Sequence, residues 1–167
     1  VKRGNELILK HFCNTDTITI DLNHNFGGKD TVMAAALSPI FNLSKRKRLV
    51  NVKMRNGLSK GLFKTDNGCY SSISNPEICG TKKMLPNIKN IRIVMGETFS
   101  AGEVIAISFK SLVDQFNITF YGYKTGGATS YIKYFDIDSN KAGLEVPIGY
   151  MTDAFDNTYK DGVKIDT

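Results

Sequence analysis

The chain has 167 residues, which is enough for one domain with a buried core. Its 41% hydrophobic and 23% charged residues are ordinary for a globular protein and exclude a disordered tail, a collagen-like repeat and a coiled coil. The 22 Lys and Arg against 16 Asp and Glu give a net charge of +6, which favours solubility over nucleic-acid binding. No apolar run approaches the roughly 20 residues that a membrane helix needs.

The first third of the chain predicts a helix, a buried strand and a second helix. Residues 4–13 are typical of the end of a helix, and the β-branched run 17–22 predicts a buried strand. A glycine turn over residues 25–28 leads to Asp30, which we expect to cap a helix that stops near Pro39.

The middle of the chain predicts one strand and a long irregular region. Residues 48–55 alternate apolar and polar side chains, which predicts a half-exposed strand. Residues 56–87 are rich in Gly, Ser, Asn and Lys, and we expect an insertion or lid loop there. This region holds Cys69 and Cys79, which either close a disulfide or remain free thiols. Cys13 is expected to pack as a small hydrophobe, and no metal site is expected because C-x-x-C is absent.

The second half of the chain predicts a repeated order of strand, turn and helix. A buried strand is predicted over residues 90–95, a long helix with a wide apolar face over 100–116, and a third strand over 118–121. A hairpin is predicted over 130–137 and 143–150, with a turn at Ser139-Asn140. This order predicts a single α/β domain over residues 1–167 with a mainly parallel sheet. In such sheets, sites lie at the carboxyl ends of the strands.

Ser100 lies at one of these ends, at a strand-to-helix turn. We expect its hydroxyl to be exposed beside the free N–H groups of a helix start, which favour developing negative charge. A serine nucleophile needs that environment, together with a base that takes its proton. The pattern from Ser100 to Glu103 also predicts a plain capping box, and the two roles are compatible.

Two further turns are rich in glycine. Gly27 and Gly28 follow the first strand, and paired glycines let the backbone approach a ligand and supply an oxyanion donor. An ordinary tight turn is the alternative. Neither a phosphate loop nor a dinucleotide loop is indicated, because Lys-Ser/Thr and G-x-G-x-x-G are both absent. The turn over residues 121–129 is of little specificity by itself.

In this order, the motifs resemble those of the tail-specific (C-terminal processing) serine peptidases, the family that includes the tricorn-type enzymes. Residues 21–28 are similar to the family's D-L-R-x-N-x-G-G, and residues 98–103 to its T-A-S-A-S/G-E. Residues 122–129 resemble its G-E-x-T-x-G, and residues 161–166 its terminal G-V-x-P-D. The resemblance covers most of residues 5–167.

The resemblance implies a ClpP/crotonase-like α/β fold of repeated β-β-α units and a serine endopeptidase that acts on polypeptides. Ser100 would be the nucleophile that forms an acyl-enzyme. The N–H groups of Ala101 and of one of Gly27 or Gly28 would form the oxyanion hole. The family needs no metal or organic cofactor, and no nucleic-acid partner is implied.

The general base does not follow from the matching positions. The Lys of one branch is Ala128 here, so the chain is closer to the tricorn-type branch, whose His lies upstream and whose Glu position falls at Thr158-Tyr159. His24, in the glycine turn, is either a base or binding residue or a solvated turn histidine. His11 is expected to be structural.

We expect the chain to be a fragment, since it starts at Val1 without Met or a leader pattern. The base, and a membrane-associated or PDZ-bearing part, would then lie outside it, and the family suggests an extracytoplasmic or secreted protein. A catalytically inactive domain that binds peptides or a protein partner is the alternative function. The basic run over residues 45–48 is a nucleic-acid patch or, as we expect, the solvated start of a strand.

Overall fold

A computed structural model describes residues 1–65, 68–137 and 142–166; the turn predicted at Ser139-Asn140 lies outside the described residues. The helices are α1 (Lys2–Phe12), α2 (Asp30–Ala36), α3 (Ser38–Phe41) and α4 (Ala101–Lys110). The strands are β1 (Thr17–Asp21), β2 (Arg48–Met54), β3 (Gly57–Lys64), β4 (Cys69–Ser72), β5 (Ile78–Cys79), β6 (Asn90–Met95), β7 (Asn117–Gly122), β8 (Ser130–Asp136) and β9 (Gly143–Thr152). No helix among the described residues is both long and apolar enough to cross a membrane.

The strands form two sheets, and the prediction of a mainly parallel sheet is wrong. Strands β1, β6 and β7 form a parallel sheet in the order β1-β6-β7, whereas the other six form an antiparallel sheet in the order β5-β4-β3-β2-β9-β8. Short connections such as Arg55-Asn56, between β2 and β3, permit only antiparallel pairing. The fold is therefore mixed α/β, and the ClpP/crotonase-like repeats stay a prediction.

The region predicted as an insertion or lid loop, residues 56–87, contributes three strands, β3, β4 and β5, to the antiparallel sheet. The prediction of a loop is therefore wrong for these strands. The region is polar in composition, but it contains a few buried hydrophobic residues, such as Leu62 and Tyr70, that pack in the core. Cys69 and Cys79 face each other on β4 and β5 and are joined by a disulfide. Cys13 is an exposed free thiol just after α1, contrary to the expected packing.

Helix α4 is the central element of the core, and it is shorter than predicted. Its residues from Ala101 to Phe109 are all buried, because it packs between α2 and β2. The helix ends at Lys110 instead of residue 116, and the following turn leaves Val113 exposed. Strand β2 lies against this helix, so residues 49–52 are buried and the prediction of a half-exposed strand is wrong.

The segment that follows the first glycine turn also differs from its prediction. Asp30 is the first residue of α2 and Lys29 is its N-cap. The Asp30 carboxylate accepts the Thr31 N–H at 2.7 Å, and it also accepts hydrogen bonds from Ser72 Oγ at 3.0 Å and Asn75 Nδ2 at 2.8 Å. Pro39 lies in the first turn of the separate short helix α3. Asp30 therefore ties α2 to the antiparallel sheet.

Candidate active site

The turns after β1 and β6 lie side by side, because parallel neighbours end at the same edge of their sheet. Phe99 N–H donates to the Asn25 carbonyl at 2.9 Å, and the buried Thr98 Oγ donates to the Leu22 carbonyl at 2.8 Å. These two hydrogen bonds fix the turn that holds Ser100 against the first glycine turn.

Ser100 is held in a strained backbone conformation at the start of α4. Its φ of 52° and ψ of −119° lie in a region that favours glycine, yet the residue carries an exposed hydroxyl. Such strain costs about 1–3 kcal/mol and persists only where the surroundings impose it, most often at functional sites. The strain is independent of the motif that identified Ser100 in the sequence, and it supports a chemical role.

Gly27 lies directly against Ser100. Its φ is +116°, and a Cβ built on it would lie 3.0 Å from Ser100 Cβ and 3.3 Å from Ser100 Oγ. Its N–H donates to Asn25 Oδ1 at 3.1 Å. The N–H groups of Gly28 and Ala101 have no hydrogen-bond partner among the described residues. Gly27 therefore provides the close approach, whereas Gly28 and Ala101 keep free donors.

Glu103 connects the Ser100 turn to the third glycine turn. It is fully buried, and its Oε2 accepts the Ser100 N–H at 3.1 Å. Its Oε1 accepts Thr125 Oγ1 at 2.6 Å and the Gly127 N–H at 2.8 Å. The capping box predicted for Ser100 and Glu103 is present, so the cap coexists with the exposed hydroxyl.

The C-terminal motif joins the same assembly. Val163 N–H donates to Thr125 Oγ1 at 2.7 Å, and Thr125 N–H donates to the Val163 carbonyl at 3.1 Å. Gly126 N–H donates to the Thr98 carbonyl at 3.0 Å. The four segments that carry the sequence resemblance thus meet around one helix start.

His24 has a partner, but that partner is not Ser100. Its Nδ1 lies 3.0 Å from Glu97 Oε2, and both side chains are about two-thirds exposed, at 67% and 64%. Glu97 is 73 residues away from His24 in the sequence, and the sequence analysis did not identify it as a partner. Among the parts of the chain that the structure describes, no titratable side chain forms a hydrogen bond to Ser100 Oγ. His11 is exposed on α1.

The expected position of the family's C-terminal Glu holds a structural group instead. Tyr159 donates its phenolic proton to Asp153 Oδ2 at 2.6 Å. Burial and this hydrogen bond to Asp153 raise the pKa of the Tyr159 phenol. Ala128, at the position of the family's Lys, is exposed. Neither position offers a base.

Two aromatic rings border Ser100, and neither was singled out in the sequence. Phe26 and Phe99 stack with ring centroids 6.1 Å apart and an interplanar angle of 18°, and both are exposed. Each immediately precedes a residue of the site, Gly27 or Ser100. The Phe99 ring also covers Gly126, where any Cβ would collide with it. The site therefore has an apolar border beside its free N–H groups.

An exposed, strained serine at a helix start, facing a close backbone turn, is the arrangement of a serine-type hydrolase. The match of a family model over residues 6–167 shows that the chain belongs to peptidase family S41, a family of serine-type peptidases. The resemblance stated from the sequence is thereby confirmed at the level of the family. The assignment to the tricorn-type branch stays a prediction.

Solved structures share this fold. A lipoprotein from Streptococcus agalactiae has a TM-score of 0.68 and 19% identity, covering 98% of this chain and 54% of that chain. The photosystem II D1 C-terminal processing protease has a TM-score of 0.65 and 16% identity, covering 100% and 39%. Mature CPAF in complex with lactacystin has a TM-score of 0.66 and 12% identity, covering 98% and 41%.

These identities support a common fold and nothing finer. The chain spans about half, or less, of the length of these structural neighbours. No curated protein sequence matches the chain.

Proposed function

We propose that the chain is the catalytic domain of a serine endopeptidase. Ser100 Oγ attacks the peptide carbonyl, the amine leaves with a proton, and water then hydrolyses the Ser100 ester to release the acyl product. The observation that carries the proposal is the strained, exposed Ser100 at the start of α4, beside two N–H groups that have no partner in the part of the chain that the structure describes. A plain helix cap does not require a residue to adopt this backbone conformation.

The oxyanion hole is assigned to the N–H groups of Ala101 and Gly28. Both lack a hydrogen-bond partner among the described residues, whereas the Gly27 N–H is occupied by Asn25 Oδ1. Ala101 is the first residue of α4, so the positive end of the helix dipole adds to its effect. Of the two glycines considered from the sequence, Gly28 is therefore the one proposed here.

The base that takes the Ser100 proton is assigned to a residue outside this chain. His24 is paired with Glu97, and no His or Lys side chain forms a hydrogen bond with Ser100 among the described residues. The structural neighbours of this chain are about twice its length or more. A longer protein of that size has room for such a residue. A membrane-associated or PDZ-bearing part would likewise lie outside these residues.

The substrate class is polypeptide, and the compartment is extracytoplasmic. The first follows from the peptidase family, and processing near a C-terminus is suggested by the name of the D1 neighbour. The second is supported by the Streptococcus neighbour, which is a lipoprotein, and by the Cys69–Cys79 disulfide, since such bonds persist in oxidising compartments.

Labelling with a fluorophosphonate tests the mechanism. The reagent is applied to the whole gene product that contains this chain and to residues 1–167 alone, and the modified residue is mapped by mass spectrometry. We expect the label on Ser100 in the whole product only, and none in the Ser100→Ala variant. Labelling in both proteins would place the base inside this chain and make His24 the first residue to replace.

A catalytically inactive, peptide-binding domain is the second candidate. The observation that favours it is the lack of a base beside Ser100 among the described residues. Folded protein that fails to label in either form, yet binds unstructured peptides, would establish this function instead. Ser100 would then act only as the cap of α4.

A further inference from the structure

Phe26 and Phe99 form an exposed aromatic pair at the edge of the sheet where Ser100 lies. Phe26 belongs to the turn after β1 and Phe99 to the turn after β6, and their rings stack with centroids 6.1 Å apart and an interplanar angle of 18°. Phe26 is 67% exposed and Phe99 is 36% exposed. Because Phe26 keeps most of its surface in water, the hydrophobic gain that it brings to the fold is small. The pair therefore presents apolar rings to solvent beside the proposed nucleophile.

The inner ring of the pair, Phe99, is held by the third glycine turn. It lies against Gly126, where any Cβ would collide with it. The Gly126 N–H donates to the Thr98 carbonyl at 3.0 Å, and the Gly127 N–H donates to the buried carboxylate of Glu103 at 2.8 Å. Because this turn is anchored at two successive residues, the Phe99 ring has a fixed position before any ligand arrives. A preorganised surface loses little conformational entropy on binding.

Both rings are attached within one residue of the groups that would act on a peptide carbonyl. Phe99 directly precedes Ser100, and Phe26 directly precedes Gly27, on which a Cβ would lie 3.3 Å from Ser100 Oγ. Neighbouring Cα atoms are about 3.8 Å apart. A peptide must place its carbonyl carbon about 3–3.5 Å from Ser100 Oγ for attack. The side chains that flank the attacked bond therefore come close to the aromatic pair.

The motifs that this chain resembles do not account for the two rings. The T-A-S-A-S/G-E motif, which residues 98–103 resemble, has Ala at the position of Phe99. The D-L-R-x-N-x-G-G motif leaves the position of Phe26 open. The parallel pairing of β1 with β6 brings the two phenylalanines together from turns that are far apart in the sequence. The aromatic pair is therefore an addition to the turns that hold Ser100.

We propose that Phe26 and Phe99 bind an aromatic side chain of the polypeptide substrate, next to the peptide bond that is cleaved. This inference rests on the serine endopeptidase function proposed above and adds a substrate preference to it. Aromatic rings pack on one another in offset-stacked or edge-to-face geometry, and such contacts contribute beyond the apolar area that they bury. An aromatic side chain should therefore be favoured over an aliphatic one by about two- to tenfold.

Cleavage of a pooled peptide library by the whole gene product that contains this chain tests the proposal. The library holds unstructured peptides with all residue types at equal frequency, and mass spectrometry identifies the cleaved bonds. We expect Phe, Tyr and Trp to be enriched over Leu by about two- to tenfold at one of the positions that flank the cleaved bond. The Ser100→Ala variant, incubated in the same way, identifies any cleavage by contaminating peptidases.

The variant Phe26→Leu removes the outer ring and keeps an apolar side chain. It should abolish the enrichment of aromatic residues over Leu, while cleavage beside apolar residues continues. Phe155→Leu is the matched control, since Phe155 is 45% exposed and lies near the other end of α4, where the Ala154 N–H donates to Ser111 Oγ at 2.9 Å. Its library profile should equal that of the wild type.

Labelling of Ser100 by a small fluorophosphonate separates this inference from the proposed function, because that reagent carries no peptide side chain. Phe26→Leu should label within about twofold of the wild-type rate. Wild-type labelling and cleavage without an aromatic preference would overturn this inference alone. So would a preference that Phe26→Leu keeps or that Phe155→Leu loses equally.

Two further outcomes would also overturn the inference. A fall in the labelling of Phe26→Leu that matches its fall in cleavage would mean that the ring only holds Ser100 in place. A wild-type protein that neither labels nor cleaves would overturn the proposed function, and the substrate preference with it.

Discussion

Gly27 and Ser100, 73 residues apart, are in such close contact that a methyl group on the glycine would lie 3.0 Å from Ser100 Cβ. A Gly27→Ala variant must shift Ser100 or its own turn, and it also places a side chain at a φ of +116°. Because a displacement of about 1 Å can cost about 100-fold in rate, we expect fluorophosphonate labelling of Ser100 to fall by about that factor.

The control for this variant is Gly57→Ala. Gly57 has a similar φ of +124°, but no atom lies within 4 Å of the added methyl group. Both variants therefore carry the same kind of backbone strain, while only Gly27→Ala touches the site. Equal labelling of the two variants would contradict the assigned contact.

The buried carboxylate of Glu103 should be needed for stability. Glu103→Ala leaves the Thr125 hydroxyl and the N–H groups of Ser100 and Gly127 without an acceptor. An unsatisfied buried donor costs about 1–3 kcal/mol; Thr125 is buried and the other two donors are partly buried, so we expect the free energy of unfolding in urea to fall by about 3 kcal/mol. Glu6→Ala, an exposed change of the same type, serves as the control. Glu103→Ala should have a lower free energy of unfolding than Glu6→Ala, and equal values for the two variants would contradict this role of Glu103.

His24 should be dispensable if the base lies outside this chain. Its pair with Glu97 is largely exposed, and pairs of that kind contribute about 0–1 kcal/mol. We expect His24→Ala to label at Ser100 within about twofold of the wild-type rate in the whole gene product. A loss of about 100-fold or more, with an unchanged unfolding midpoint, would instead identify His24 as the base.

The disulfide should stabilise the antiparallel sheet. Cys69 and Cys79 close a loop with a sequence separation of 10 residues, for which chain entropy predicts about 3 kcal/mol. The double variant Cys69→Ser/Cys79→Ser should lose about that much free energy of unfolding. It should still label at Ser100, since the bridge and the site belong to different sheets. Cys13→Ser, which removes a free exposed thiol, should leave stability unchanged.

The elements next to the site could be predicted from local pattern. β1, β6 and β7 are short β-branched or aliphatic runs between turn residues, and α4 has an apolar sequence preceded by Ser100. These signals are local, so they can be recognised in the sequence without knowledge of the fold. The position of Ser100 at a strand-to-helix turn followed from them directly.

What could not be predicted depends on partners far away in the sequence. The polar strand β3 becomes a strand because it pairs with β2 and β4, which composition does not reveal. The φ of Ser100 is set by its surroundings, not by its own residue type. The pairing of His24 with Glu97 joins two turns that only the parallel sheet brings together.

The backbone conformation of Ser100 places stability and function in opposition. A glycine would relieve the strain at a φ of 52°, so Ser100→Gly should melt at a higher temperature than the wild type, while Ser100→Ala, which keeps the strain, should not. Yet glycine removes the exposed hydroxyl of Ser100. Under the mechanism proposed above, the protein would keep this hydroxyl at the expense of its melting temperature.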